Sequence, residues 1–225
     1  MRKILLITFI LFAIVLAVSI RGIAGNPNSG DLNTPRWKEL GPFELSPERG
    51  RFALLYSFIE DKSLIFKLPV ARFATPDLGY TNGNYVSLFA PGVSFAAIPG
   101  YLLGKMFGLA QIGTVTIISI FALINAFLVF KISKFLGAHA YASLTASTIF
   151  LFATPAFTYA VTLYQHHISL FLILLSIYIL MRWRGFLGLC AVWFLVAVSI
   201  PVDYPNLILM APIALWATGR IIWGK

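Results

Sequence analysis

The residues able to do chemistry are few and clustered. Seven of the eight carboxylates fall between Asp31 and Asp77; the eighth, Asp203, lies far downstream. Within the cluster, Glu48 and Arg51 are three residues apart, a spacing at which two side chains on one helix can meet. A carboxylate there could act as a base, with the guanidinium as its charge partner or as a hold on an anion. The competing reading is an acid that complements the helix dipole and pairs with Arg51 at the surface. Asp77 stands in a turn-rich stretch, where an Asp also serves the turn itself. Lys62 is a further cation close by. His166 adjoins His167 and could hold an anionic group, although a lone histidine at a helix edge is more often structural. Asp203 reads equally well as a cap for the last helix.

The elements that must position these residues are apolar. The chain is 59% hydrophobic and 11% charged, with a mean hydropathy of +0.87, more apolar than a soluble globular domain needs. Runs at residues 4–20, 112–130, 141–157, 167–181, 186–200 and 207–222 approach the roughly 20 residues that cross a bilayer. The run 85–109 carries Pro91 and Pro99 and reads as a broken juxtamembrane or re-entrant helix. These runs predict an all-α integral membrane protein with six spanning helices, a single membrane domain. Residues 1–24 form the first helix, 25–110 a long outer loop with amphipathic juxtamembrane helices, and 111–225 five further helices.

The basic residues give a consistent orientation. Arg2/Lys3, Lys131/Lys134, Arg182/Arg184 and Arg220/Lys225 fall at alternate junctions, which puts both termini in the cytoplasm and the long loop outside. All eight acids and His166 then lie on the extracytoplasmic side of the cell membrane. The net charge of +9 is mostly topology anchoring, so it does not point to nucleic acid. Residues 1–25 also resemble a signal peptide, but the long apolar run favours a retained helix. Cys190, in an apolar run, reads as a small buried hydrophobe. Mid-helix ionisable groups, the mark of a transporter, are nearly absent, with Asn125 the main polar residue at mid-helix.

Within the loop a helix starts at Ser46 as N-cap, with Pro47 and Glu48 in its first turn, and runs to about Glu60. Its apolar face predicts that it lies flat at a membrane interface. Residues 64–70 read as extended, and Asn82-Gly83 signals a hairpin turn. There is no phosphate-binding loop, dinucleotide fingerprint or zinc-protease motif.

Several short stretches, in order, carry a resemblance. Glu48-Arg49-Gly50-Arg51-Phe52-Ala53, Asn82-Gly83-Asn84-Tyr85-Val86-Ser87 with Ala90-Pro91-Gly92, Ala153-Thr154-Pro155 leading to Gln165-His166, and Tyr204-Pro205 together resemble GT-C membrane glycosyltransferases. The aminoarabinose transferase and protein O-mannosyltransferase groups belong to that family. The resemblance implies an inverting enzyme that transfers a sugar from a polyprenyl-phosphate donor to an acceptor at the outer membrane face. It places Glu48 at the catalytic acidic position, where the family usually has Asp, and Arg51 and His166 at substrate-binding positions; Lys62, Lys67 or Arg72 would supply the phosphate contact that the family's lysine makes, with Asp77 and Asp203 as further substrate-binding candidates. Phe89 replaces a lysine common in relatives. Membrane lipids and the lipid-linked donor are the implied partners. A divalent metal would suit the carboxylates, but no spacing demands one. The chain stops at Trp223-Gly224-Lys225, short of full-length relatives, so a truncated or minimal member is expected, completed by homo-oligomerisation or by a partner segment. The alternative is a non-catalytic lipid-binding or assembly subunit of a membrane complex.

Overall fold

The computed structural model describes residues 2–183 and 185–223; Arg184 and Lys225, expected as cytoplasmic anchors, lie outside them. The chain divides into two compact units: residues 10–120 with 158–164, and residues 1–9 with 121–157 and 165–225. In chain order the elements begin with α1 (Arg2–Ser19), α2 (Pro35–Glu39), α3 (Ser46–Glu60), β1 (Ile65–Phe66) and α4 (Leu68–Ala74). They continue with β2 (Leu78–Thr81), β3 (Asn84–Ser87), α5 (Gly92–Ala96), α6 (Ile98–Met106) and α7 (Ala110–Phe135). The rest are α8 (Ala140–Phe152), α9 (Ala156–Ala160), α10 (His166–Arg182), α11 (Phe186–Ser199), α12 (Asn206–Leu209) and α13 (Ala211–Trp223).

The unit of residues 10–120 and 158–164 is built around α3. Pro47 sits where a missing N–H costs nothing, and Glu48 complements the positive end of the helix. The N-cap is Leu45, one residue earlier than expected, and the Ser46 hydroxyl leaves the helix end to bond Asp77. Phe52 is fully buried, with ring centroids of Phe43, Tyr101 and Phe73 at 4.7, 5.9 and 6.1 Å. Every residue from Gly50 to Ser57 is buried, so α3 is a core helix and not the flat interfacial helix that its pattern suggested.

The Asn82-Gly83 signal is realised. Both residues adopt positive φ, 50° and 78°, joining β2 to β3 in an antiparallel hairpin that β1 extends in the order β1-β3-β2. Of the run 85–109 expected as a broken helix, residues 92–106 form α5 and α6, parted at Ala97 ahead of Pro99, whereas 85–87 belong to β3. The start of α7 packs backbone to backbone on α6: a Cβ on Gly100 would stand 2.2 Å from the Gly113 carbonyl oxygen.

The other unit packs α10, α11 and α13 together. Several of its polar groups are satisfied internally. Ser147 donates to the Ala126 carbonyl at 2.7 Å, and Asn206 donates to Ser169 Oγ at 2.9 Å and to the Ser199 carbonyl at 2.8 Å. Arg220 donates to the Leu180 carbonyl and lies over the Trp216 ring. Cys190 is a free, exposed thiol and not the buried hydrophobe expected.

The six-span reading does not stand. Among the described residues, two helices are long and apolar enough to cross a membrane, α1 with 18 residues and α7 with 26. A helix near the N-terminus also fits a signal sequence, and α7 is 44% buried over its most apolar window, so neither establishes a span alone. The other expected spans end early. The run 141–157 stops as a helix at Phe152, ahead of Pro155, leaving α8 with 13 residues. The helices α10 and α11 have 17 and 14 residues, and the last run is interrupted at Met210 between α12 and α13. The fold class is also not all-α, given the three-stranded sheet. The assignment of both termini to the cytoplasm and of the loop to the outside of a multi-pass protein required an even count of six crossings, and it falls with them.

Candidate functional site

The two ends of α3 carry the polar clusters of their unit. At the first turn, Glu48 is 1% exposed and both of its oxygens are engaged. Oε2 accepts from the Leu45 amide at 3.1 Å, and Oε1 accepts from the Leu163 amide at 3.0 Å. Burial raises the Glu48 pKa, against the opposing pull of these two N–H donors and of the Arg51 and Arg49 charges. Arg51 is 5% exposed. It donates to the Pro47 carbonyl at 3.1 Å, with its guanidinium 4.6 Å from the Phe89 ring centroid and 5.2 Å from that of Tyr164, a cation–π sandwich. Gly50 makes room for Phe89, since a Cβ there would meet its ring at 3.0 Å. At the half-buried rim, Ser46 Oγ donates to Asp77 Oδ2 at 2.6 Å. Burial and the charge of Glu48 raise the Tyr164 pKa.

The structure thus brings Glu48, Arg51 and Asp77 to one region, but Glu48 is closed in and used. Lys62 stands apart from them, exposed in the turn after α3 with φ 53°. His166 and Asp203 belong to the other unit. There His166 is exposed, and Asp203 accepts from Gln165 Nε2 at 3.2 Å. The buried neighbour His167 is structural. Its Nε2 donates to the Ala156 carbonyl at 2.8 Å, and its Nδ1 accepts from Asn125 at 3.2 Å.

The open cluster lies at the last turns of α3. Tyr56, Glu60, Tyr101, Lys105 and Asn26 line a cleft of about 200 Å³. Lys105 Nζ donates to Glu60 Oε1 and Oε2 at 2.6 and 2.8 Å, and the Tyr101 hydroxyl donates to Oε1 at 2.8 Å. Burial alone would raise the Glu60 pKa, but these donors and the nearby Lys105 and Lys62 charges hold it below the usual value. Burial, with the Glu60 and Asp61 charges, pushes the Tyr56 phenol up to about 12. Asn26 Nδ2 donates to the Lys105 carbonyl at 2.9 Å. Sequence reasoning missed this cluster. Each helix carries its pair at four-residue spacing, Tyr56 with Glu60 and Tyr101 with Lys105, but the pairs are 41 to 45 residues apart in the chain, and no local pattern links them.

No family model, curated protein or solved structure matches the chain. With two span-length helices among the described residues where the GT-C architecture needs many, the resemblance does not hold. The inverting sugar transfer that it implied falls with it, as do the membrane lipid and polyprenyl-phosphate partners and the alternative membrane-complex subunit. Among the described residues, no group of three or more His, Cys, Asp or Glu side chains is placed to hold a metal ion.

Proposed function

We propose that this chain is a binding protein for a small polar solute, and that the cleft between α3 and α6 receives it. The observation that carries this reading is the open, roughly 200 Å³ pocket lined by Tyr56, Glu60, Tyr101 and Lys105. The Glu60 and Lys105 side chains remain 26% and 42% exposed there. A few convergent polar groups in a concave site are the usual form of a ligand site. The volume is small against a drug-sized pocket, which suits a small solute. In this reading Glu48 has no part in the cleft: its two N–H contacts tie Leu45 and Leu163 to the first turn of α3, at the opposite end of the helix.

Ligand-observed NMR on the full chain tests the proposal, with L-alanine, propionate and ethylammonium as probes. Binding of at least one probe that weakens in Lys105→Met supports it, and absence of binding by all three overturns it.

A second reading is favoured by the burial and raised pKa of Glu48, a combination common at functional sites. It makes the first turn of α3 the site, with Glu48 as an acid–base group, Arg51 as its charge partner, and Asp77 at the rim. Glu48→Gln distinguishes the two: it leaves probe binding in the cleft intact in the first reading and abolishes binding in the second.

A further inference from the structure

The charges in the α3–α6 cleft restrict what it can hold, on the premise that it is a ligand site. Lys105 has three N–H donors, and Glu60 takes two of them. The third has no acceptor among the described contacts, and Lys105 lines the cleft. Glu60 Oε1 is shared by Tyr101 and Lys105, whereas Oε2 accepts only from Lys105 among the described contacts, so Oε2 retains acceptor capacity. Tyr56 lines the same cleft, and its phenol, pushed up to about 12, keeps its proton to donate. The ion pair is net neutral. A simple anion reaching Lys105 would also meet the Glu60 carboxylate, and a simple cation reaching Glu60 would meet the Lys105 ammonium. Each gains one attraction and suffers one repulsion of similar size. A molecule carrying both charges a few atoms apart gains both attractions.

We infer that the cleft takes a small zwitterion of the α-amino acid class, with its carboxylate on Lys105 and Tyr56 and its ammonium on Glu60. The pocket volume suits a short side chain, so glycine- or alanine-sized members are favoured.

Calorimetric or NMR titration of the full chain with L-alanine, propionate and ethylammonium tests this. The three probes share a two- or three-carbon frame and differ in which charges they carry. The zwitterion binds about tenfold or more tightly than either single-charge analogue, the equivalent of one charge-assisted hydrogen bond. Lys105→Met and Glu60→Gln each lose about tenfold for L-alanine. Tyr56→Phe, which removes one hydroxyl, loses several-fold and guards against an unfolded variant being taken for a loss of the site. Propionate or ethylammonium binding as well as L-alanine overturns the zwitterion while leaving a solute-binding cleft in place. No binding by any probe overturns both.

Discussion

Replacing Glu48 by Gln tests the account of the first turn of α3 most directly. The carboxylate accepts from two backbone amides, Leu45 at 3.1 Å and Leu163 at 3.0 Å, through different oxygens. Gln offers one oxygen and one NH2 group. Whichever way the amide is turned, one backbone N–H faces another donor. The cost of losing one such bond and stranding its donor is about 1–3 kcal/mol. The pH dependence carries the sign. Because burial raises the Glu48 pKa in the folded protein, the folded state binds more protons than the unfolded state between the ordinary value of 4.5 and the raised one. The wild type therefore loses stability as pH rises through that window, and the Gln variant lacks this loss. The deficit of Glu48→Gln relative to wild type is greatest below the ordinary glutamate value and narrows as pH rises. Urea unfolding of both proteins across that window measures it, and all other groups cancel in the difference. A deficit that widens with pH would refute the reasoning, since the two amides and the arginines would then outweigh burial and lower the pKa.

Glu60 behaves in the opposite way. Its folded pKa is lowered, so its contribution is present above the ordinary value and lost as pH falls through the lowered one; Glu60→Gln removes that acid-side loss, measured in the same urea series. Gly113→Ala places a Cβ 2.3 Å from the Gly100 carbonyl oxygen, where backbone must shift, and lowers stability by about 1–3 kcal/mol in a thermal melt. Gly83→Ala forces a side chain onto φ 78° at the hairpin turn and costs about 1–2 kcal/mol by denaturant unfolding. Ser46→Ala removes the 2.6 Å bond to Asp77 at a cost of about 0.5–1.5 kcal/mol, with no effect on binding of L-alanine in the cleft.

What the sequence determined by itself is what short-range physics controls. Asn82-Gly83 demanded positive φ at adjacent positions, and the hairpin followed. Pro47 and Glu48 marked the start of a helix that ends at Glu60, and Pro91 and Pro99 broke the next apolar run. Hydropathy misled because it counts apolar residues without regard to backbone: the run 141–157 stays apolar across Ala153, where α8 has already ended. The amphipathic reading of α3 failed for a related reason. A helix wrapped by α4, α5 and the small sheet buries its polar face as well as its apolar one. Only the tertiary structure decided what the carboxylates do. Glu48 meets an amide 115 positions away, and Glu60 meets Tyr101 and Lys105 across 41 and 45 positions. A carboxylate in the sequence carries its charge but not its partners or its solvation. The folded packing closed Glu48 away from water and left Glu60 beside an open cleft.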